Sequence, residues 1–265
     1  MGKYDGYLIC SDFDGTLAKE RIISPENRAA IREFTEGGGL FTIASGRSPD
    51  FLKENAGDIG VNAPLLAING SAIADPVSGE VLRRVLMDDG ALTATCTLSR
   101  MLPGLNALDI VYREGCFTSR RLFAGKDMTP REILSCTGKE IYKILLMFDT
   151  PECALASVRA ADRLFGNRYI FQRSWQHGIE MLPLDGGKGN AVKAVRELCG
   201  EKVKCVIGVG DYENDIPLVK AADIGIAVAN AIDAVKEAAD RVTESDCVTA
   251  IAEIIHSLPE LQQQP

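Results

Sequence analysis

Asp12-Phe13-Asp14-Gly15-Thr16 follows directly on the short apolar run Tyr7-Leu8-Ile9-Cys10. Because side chains alternate along a strand, Asp12 and Asp14 point the same way if the strand continues through them. Gly15 then permits a sharp turn that residues with a side chain resist. Two carboxylates held together at a strand end repel each other unless a positive group lies nearby or one of them is protonated. The motif therefore predicts a functional site, although an Asp-x-Asp-Gly string alone is also typical of a solvated turn.

Short apolar strands alternate with amphipathic helices at both ends of the chain. The predicted strands there are residues 7–10, 40–44, 64–68, 203–209 and 224–228. A helix opened by Ser24-Pro25 turns Ala30, Ile31 and Phe34 inward and ends at the glycines of residues 37–39. The other predicted helices are residues 188–198, with Ala191, Val192, Val195, Leu198 and Cys199 on one face, residues 216–222, and a terminal helix from residue 247. This alternation predicts an α/β fold with a doubly wound parallel sheet covered on both faces.

The middle of the chain has a different pattern, with several longer strands and fewer helices between them. The predicted strands are residues 106–113, 140–148, 168–172 and 178–182, and the predicted helix is residues 151–165. This pattern is typical of an inserted α+β domain. The predicted organisation is a core domain formed by residues 1–82 and 184–265, with an inserted domain over residues 83–183.

Composition and charge disfavour several classes of protein. The chain has 265 residues, 46% of them hydrophobic and 25% charged, which is ordinary for a globular protein with a buried core. Its net charge of −8 disfavours nucleic acid or an anionic membrane as a partner, because both bind basic patches. The longest stretch without charged residues, 59–74, is too short and too polar to span a membrane. No secretory leader is expected, and eight scattered cysteines without a CxxC pair favour free thiols in a cytoplasmic protein.

Four groups of polar residues follow buried strands or begin a helix. The pair Asp12 and Asp14 follows the first strand, and Ser45-Gly46-Arg47 follows the second. The sequence Gly210-Asp211-Tyr212-Glu213-Asn214-Asp215 follows the strand at residues 203–209, and Lys188 begins a helix. Because ligands bind at the carboxyl ends of the strands in doubly wound sheets, we expect these groups to face one crevice.

The charge in that crevice predicts a bound cation. Up to four negative charges would meet there, contributed by Asp12, Asp14, Asp211 and Asp215. Such a cluster repels itself unless a divalent cation binds, and a ligand set of oxygens without His or Cys favours Mg²⁺ over zinc or copper. Ser45, Asn214 and Lys188 are suited to hold phosphate oxygens. Together these residues indicate metal-assisted phosphoryl chemistry.

The ordered motifs resemble those of the haloacid dehalogenase (HAD) superfamily, namely Asp-x-Asp-Gly-Thr, Ser-Gly-Arg, Lys-Gly and Gly-Asp-x-x-Asn-Asp. Further strings are similar to its Cof-type branch: Asn69-Gly70-Ser71, Glu180-Met181-Leu182-Pro183 and Val228-Ala229-Asn230-Ala231. The resemblance spans both ends of the chain and places residues 83–183 where that branch carries an α+β cap domain, between the second and third motifs. One departure is Tyr212, where the branch usually has Gly, and this difference concerns the shape of the loop.

The resemblance implies a role for each motif residue. Asp12 would be the nucleophile that forms an aspartyl phosphate, and Asp14 would be the general acid and then the general base. Mg²⁺ would be held by Asp12, Asp211 and the backbone carbonyl of Asp14. The groups implied to hold the other phosphate oxygens are Ser45, the backbone amides of Gly46 and Phe13, Asn214 and Lys188. Asp215 would orient Lys188 or a water on the metal.

The motifs therefore predict a Mg²⁺-dependent phosphatase that acts on a small phosphorylated metabolite, such as a sugar phosphate or a phosphorylated cofactor. A phosphomutase of the same superfamily is an alternative, since Asp14 also serves transfer between two hydroxyls of one sugar. A receiver-like phospho-acceptor domain is another alternative. Such domains are much shorter, however, and their phosphorylated Asp lies on a different strand from the paired acids.

Each polar residue also has an ordinary structural interpretation. Ser45 is compatible with an N-cap of a helix that begins near Pro49. Lys188 is compatible with a solvated lysine, although the first turn of a helix is a poor place for a cation unless an anion lies near. Asp215 is compatible with a plain turn or cap, and Arg47 is predicted to be an exposed loop residue.

Overall fold

The computed structural model describes residues 2–120 and 129–261. The chain divides into two compact units, one formed by Met1–Arg83 with Lys188–Pro265 and the other by Arg84–Gly187. The chain thus leaves the first unit once and returns to it once. The interpretation of residues 83–183 as a cap domain stays a prediction.

The secondary structure alternates between strands and helices along most of the chain. The strands are β1 (Tyr7–Ser11), β2 (Leu40–Ile43), β3 (Leu65–Ala67), β4 (Ala72–Ala74), β5 (Val81–Arg84), β6 (Leu105–Tyr112), β7 (Gly115–Arg120), β8 (Ile141–Phe148), β9 (Tyr169–Trp175), β10 (Gly178–Pro183), β11 (Cys205–Gly210), β12 (Ile224–Ala227) and β13 (Arg241–Val242). The α-helices are α1 (Pro25–Glu36), α2 (Pro49–Ala56), α3 (Ala91–Met101), α4 (Pro130–Leu134), α5 (Pro151–Phe165), α6 (Lys188–Cys199), α7 (Ile216–Ala221), α8 (Asp233–Ala238) and α9 (Ala250–Leu261). Short 3₁₀ turns cover Gly57–Ile59, Ile68–Gly70, Gly200–Lys202 and Glu213–Asp215.

The first unit is built on a parallel sheet with the strand order β13-β12-β11-β1-β2. Strand β1 lies between β11 and β2, with Leu8 opposite both Val206 and Leu40. A further parallel bridge between Ala44 and Leu66 places β3 beside β2. The strand order therefore runs outward from β1 and β11 in two directions, which confirms the predicted doubly wound α/β class.

Helix α1 begins and ends where the sequence predicts. The Ser24 hydroxyl accepts a hydrogen bond from the Asn27 amide at 3.0 Å, and Pro25 occupies the first turn. At the other end the Gly37 amide donates to the Glu33 carbonyl at 2.9 Å. The buried face consists of the predicted residues Ala30, Ile31 and Phe34, joined by Asn27. Local capping signals and the apolar stripe thus agree, and both fix the helix.

Helix α6 differs from its predicted pattern at one end. Ala191, Val192 and Val195 are buried as predicted, but Leu198 is 52% exposed. Leu198 lies in the last turn, one residue before the helix ends at Cys199. Cys199, the next residue of the predicted face, is partly buried against the core, so among the described residues only the Leu198 side of that face lacks a packing partner.

The second unit is an antiparallel sheet with the strand order β7-β6-β8-β10-β9. Its cross-strand pairs place Leu108 opposite Leu146 and Leu146 opposite Ile179, so that these residues share one face. That face forms an apolar core with Leu98 of α3 and Ala161 of α5. The unit therefore has the predicted α+β character, although α3 and β7 were absent from the sequence prediction.

In the described ranges, no helix is long and apolar enough to cross a membrane. The cysteines, all eight of which lie in the described ranges, form no disulfide. The eight cysteines are therefore free thiols, as their scattered spacing predicted. The cytoplasmic location stays a prediction.

Helix α7 packs closely on β11 and β12 because two glycines lie beneath it. Gly208 and Gly225 are register partners in the parallel sheet. A Cβ at Gly208 would lie 2.8 Å from the carbonyl oxygen of Leu218, and one at Gly225 would lie 2.5 Å from that of Val219. Backbone atoms cannot rotate away as the end of a side chain can, so the two glycines set the distance between helix and sheet.

We expect Gly225→Ala to lower the free energy of unfolding by about 1–3 kcal/mol, because its Cβ would overpack a backbone contact. Urea denaturation measures the change. Gly115→Ala is the control, since the nearest atoms to its Cβ lie 3.8 Å away, and a change within about 0.5 kcal/mol is expected for it. Equal stability of both variants would show that α7 moves away from the sheet at no cost.

Candidate active site

The first unit places the predicted polar residues at the carboxyl ends of neighbouring parallel strands. Asp12 follows β1, and its amide continues the ladder by donating to the Val209 carbonyl at 2.9 Å. Ser45 follows β2, and Asp211 follows β11. Since β1 pairs with both β2 and β11, these residues emerge from adjacent strands at the same edge. The topology therefore brings three of the four predicted groups together.

Lys188 completes the site from the start of α6. Its side chain is fully buried, and its Nζ donates to Asp12 Oδ1 and to Asp215 Oδ1, each at 2.5 Å. Burial alone would lower the pKa of Lys188, but the charges of the two carboxylates outweigh burial and raise it. The interpretation of Lys188 as a solvated lysine is therefore wrong.

Asp215 holds both this lysine and its own loop. Its Oδ2 accepts hydrogen bonds from the backbone amides of Asp211, at 3.0 Å, and Tyr212, at 3.2 Å, while Oδ1 accepts from Lys188. Asp215 is completely buried, so these donors balance a charge that would otherwise be unfavourable there. The carboxylate thus contacts both Lys188 and the backbone of the loop after β11.

Asp12, Asp211 and Asp215 form an acidic cluster. Each residue offers a carboxylate oxygen that lies within 4.8 Å of the others. Burial, and then the charge of Asp215, raise the pKa of Asp12 well above its ordinary value. The same two causes raise the pKa of Asp211 to about 6. A set of close, largely buried carboxylates is suited to a divalent cation, and its oxygen-only donors fit Mg²⁺.

The loop after β1 approaches Asp211 closely. The Thr16 hydroxyl donates to Asp211 Oδ1 at 2.8 Å. Gly15 has a φ of +91°, and a Cβ there would lie only 2.6 Å from Asp211 Oδ2. Glycine is therefore required both by the backbone conformation and by the space. The Asn230 side chain, in one of the strings that resemble the Cof-type branch, donates to the Gly15 carbonyl at 2.8 Å and contacts the same loop.

Asp14 lies apart from the acidic cluster and pairs with Arg47. The Arg47 guanidinium donates to both oxygens of Asp14, from Nε and from Nη2, at 2.9 Å each. The guanidinium also lies 4.9 Å from the centre of the Phe51 ring, which contacts Phe13 edge-on. The hydrogen bond to Asp14 raises the pKa of Arg47. Arg47 therefore has a defined partner in the motif, whereas the sequence predicted an exposed loop residue.

The predicted phosphate-binding residues lie around this edge. Ser45 is buried, and its hydroxyl accepts from the Arg47 amide at 3.3 Å. It does not cap α2, because that position belongs to Ser48, whose hydroxyl accepts from the Phe51 amide. The predicted residues that are also buried here are Phe13 and Asn214, and Gly46 lies between Ser45 and Arg47.

Asn69 is a site residue to which the sequence assigned no role. The Asn214 side chain donates to Asn69 Oδ1 at 3.5 Å, and Asn69 itself is completely buried. The dipeptide Asn69-Gly70 is a turn signal that could have indicated a special backbone conformation. It could not have indicated the contact with Asn214, which lies 145 residues further along the chain.

Comparison with known proteins assigns the family. Residues 9–255 match the family model of the haloacid dehalogenase-like hydrolases. The chain is 31% identical to the 5-amino-6-(5-phospho-D-ribitylamino)uracil phosphatase YwtE of Bacillus subtilis, over 94% of this chain and 97% of that protein. It is 30% identical to the phosphatase YcsE of the same organism, named for the same substrate, over 94% of each chain.

Solved structures have the same fold. BT1666 of Bacteroides thetaiotaomicron, a phosphatase of the HAD superfamily, superposes with a TM-score of 0.78 at 22% identity, over 98% of this chain and 97% of that one. The sugar phosphatase BT4131, of HAD subclass IIB, gives a TM-score of 0.76 at 18% identity, over 96% of this chain and 98% of that one. The family match covers nearly the whole chain and agrees with the motifs at the strand ends. The chain therefore belongs to the haloacid dehalogenase-like hydrolases and is a phosphatase of their Cof-type branch.

Proposed function

We propose that the protein is a Mg²⁺-dependent phosphatase that hydrolyses a small phosphorylated metabolite through an aspartyl phosphate on Asp12. The observation that carries the proposal is the surroundings of Asp12. Its buried carboxylate accepts a hydrogen bond from the Lys188 ammonium, and one of its oxygens lies within 4.8 Å of an oxygen of Asp211, close enough for the two residues to bind one cation. A carboxylate nucleophile needs a neighbouring positive group, because its target is an anionic phosphate.

Asp12, Asp211 and the backbone carbonyl of Asp14 are the proposed ligands of Mg²⁺. Asp215 Oδ1 accepts a hydrogen bond from Lys188 and Oδ2 accepts from two backbone amides, which supports an orienting role for that residue. When bound, the cation would neutralise charge on the phosphoryl group and align it with Asp12. The raised pKa values of Asp12 and Asp211 support this proposal, because ionised acids gather at low cost only around a cation.

The proposed chemistry has two steps. A carboxylate oxygen of Asp12 attacks phosphorus, and the bond between phosphorus and the leaving oxygen breaks. The leaving oxygen keeps the electron pair of that bond and takes a proton from Asp14. Water then attacks phosphorus and gives a proton to Asp14, while the bond to Asp12 breaks and inorganic phosphate leaves. Both oxygens of Asp14 accept from Arg47 in this structure, and each keeps a further lone pair that can carry the proton.

The remaining phosphate oxygens would be held by donors from three loops. These donors are the hydroxyl of Ser45, the backbone amides of Gly46 and Phe13, the side chain of Asn214, and Lys188. Ser45 and Asn214 are both buried at the edge where Asp12 emerges, which supports the proposal. Hydrogen bonds from preorganised donors stabilise the charge that accumulates in the transition state.

The relatives support a small phosphomonoester as substrate. Two are named for a phosphoribitylaminouracil, and a 27% identical relative from Methanopyrus kandleri is named a phosphoglycolate phosphatase. We propose a sugar phosphate or a phosphorylated cofactor intermediate for this chain. We also propose that residues 83–183, as the cap, select the group that carries the phosphate.

A panel of phosphorylated metabolites tests the reaction class. We expect Mg²⁺-dependent release of inorganic phosphate from at least one sugar or ribityl phosphate, and loss of that release when EDTA removes the metal. Chromatography of the products separates hydrolysis from transfer, because a phosphomutase would give an isomeric sugar phosphate. Equal turnover with and without EDTA would contradict the metal dependence.

Asp12→Asn tests the nucleophile. Because an amide cannot form the aspartyl phosphate, we expect phosphate release to fall by at least about 10³-fold. Rapid acid quenching followed by mass spectrometry should detect phosphate on Asp12 in the wild type and none in the variant. Asp58→Asn, at an exposed position, is the matched control and should retain full activity. Full Mg²⁺-dependent turnover by Asp12→Asn would refute the proposed nucleophile.

Asp211→Asn tests the metal site through stability. The folded pKa of Asp211 is raised to about 6, so ionised Asp211 destabilises the metal-free protein above pH 6. Without Mg²⁺ at pH 7.5 we therefore expect the variant to be more stable by about 1–3 kcal/mol. That advantage should shrink as the pH falls from 6 to 4, because Asp211 takes up a proton.

Added Mg²⁺ should reverse this order. We expect the cation to raise the melting temperature of the wild type and of Asp58→Asn, while the melting temperature of Asp211→Asn stays nearly constant. Differential scanning calorimetry over a Mg²⁺ titration provides the measurement. An equal Mg²⁺-dependent shift in all three proteins would remove Asp211 from the proposed ligands.

A further inference from the structure

The turn after β3 has an unusual backbone conformation. Ile68 and Asn69 both have φ of 52°, in the left-handed region that side chains normally avoid. Asn tolerates this region, but a β-branched residue such as Ile does so rarely. The turn includes the string Asn69-Gly70-Ser71, which resembles the Cof-type branch and which the proposed chemistry does not use. Strain of this kind persists where surrounding contacts fix it, and it concentrates at functional sites.

The turn is joined to the loop that carries Ser45 by three backbone hydrogen bonds. The Ser45 amide donates to the Leu66 carbonyl at 2.9 Å, and the Asn69 amide donates back to the Ser45 carbonyl at 2.8 Å. The Ile68 amide donates to the Arg47 carbonyl at 2.9 Å. The left-handed conformation directs two successive amides, those of Ile68 and Asn69, toward this loop. Ser45 is therefore fixed on both sides by the segment that contains Asn69.

The side chain of Asn69 reaches the other loop of the site. Its Oδ1 accepts a hydrogen bond from Asn214 Nδ2 at 3.5 Å, and both residues are buried. Its Nδ2 has no hydrogen-bond partner among the described residues, although it is shielded from solvent. Both the oxygen and the nitrogen of a buried side-chain amide usually have hydrogen-bond partners. The Asn69 side chain differs, because in the part of the chain that the structure describes only its oxygen has one.

We propose that Asn69 is a positioning residue that aligns Ser45 and Asn214 for the phosphate. Its backbone amide holds the loop after β2, and its side-chain oxygen orients the Asn214 amide on the loop after β11. One residue thus couples two donors that come from different strands. This inference rests on the proposed function, because Ser45 and Asn214 bind phosphate only if the site is a phosphatase site.

The test is the affinity for inorganic phosphate, measured by isothermal titration calorimetry in the presence of Mg²⁺. Asn69→Gly keeps the left-handed backbone, since glycine adopts it without strain, and removes only the side chain. We expect its phosphate affinity to fall by about 3–10-fold, the usual effect of one lost neutral hydrogen bond. Its melting temperature should stay within about 5 °C of the wild type, which corresponds to a small loss for a chain of this size.

Ser71→Ala is the matched control within the same turn. Ser71 is equally buried, and its hydroxyl has no hydrogen-bond partner among the described residues. Its removal should leave the phosphate affinity within about twofold of the wild type. A loss in Ser71→Ala equal to that in Asn69→Gly would show that any change in this turn weakens the site, and would overturn the specific role of Asn69.

A double-mutant cycle with Asn214→Ala separates positioning from a general structural effect. If Asn69 acts through Asn214, then Asn69→Gly should change phosphate affinity less than about twofold when Asn214 is already Ala. Multiplicative losses in the double variant would overturn the proposal. So would a fall of more than about 10 °C in the melting temperature of Asn69→Gly, because the residue would then serve the fold.

Measurements on the wild type separate failure of this inference from failure of the proposed function. A wild type that binds phosphate and hydrolyses phosphomonoesters, with an Asn69→Gly variant of unchanged affinity, would refute the inference and leave the proposed function intact. A wild type that neither binds phosphate in the presence of Mg²⁺ nor releases it from any phosphomonoester would refute both.

Discussion

The buried ion triad of Lys188 with Asp12 and Asp215 is the interaction on which the rest of the site depends. Lys188 is fully buried, and its Nζ lies 2.5 Å from an oxygen of each carboxylate. Removing one member of such a set leaves an unpaired buried charge, which costs about 3–5 kcal/mol. Because the three residues follow β1, begin α6 and follow β11, the triad also requires that the two ends of the sequence fold together. The phosphate and metal positions proposed above exist only once that has happened.

Much of the fold could be predicted because its signals are local. The Ser24-Pro25 cap, the buried stripe of α1 and the apolar runs of the parallel strands each lie within a few neighbouring residues. Leu198 was predicted to be buried because its spacing is correct, but it falls in the last turn of α6, and spacing carries no information about where the packing partner ends. Helix α3 was missed in the inserted unit because its buried face consists largely of small and polar residues, Ala91, Ala94 and Thr95, with two leucines.

The candidate site also has parts that the sequence predicts and parts that it does not. The acids were predicted because each follows an apolar strand, so that sequence position alone places them at one edge. The burial of Lys188 depends on Asp12, which lies 176 residues away, and a solvated lysine has the same sequence pattern. The pairing of Arg47 with Asp14 and the contact of Asn69 with Asn214 likewise join separate segments. A single sequence identifies the donors and acceptors but does not state which of them are partners.

Several unfavourable features of the first unit lie among the loops that carry the site residues, and their position there is an argument for function. Asp12 and Asp211 are held where burial raises their pKa values, and Ile68 and Asn69 occupy the left-handed region. The left-handed conformation of Ile68 costs about 1–3 kcal/mol, and the burial of the two acids adds a further cost. A sequence selected for stability alone would lose them, whereas a site that must meet a cation and an anion needs its charges and donors in place beforehand. The strands beneath supply the compensating stability, since Leu8 and Ile9 of β1 are fully buried. The same sheet that aligns the acids therefore also offsets the cost of holding them together.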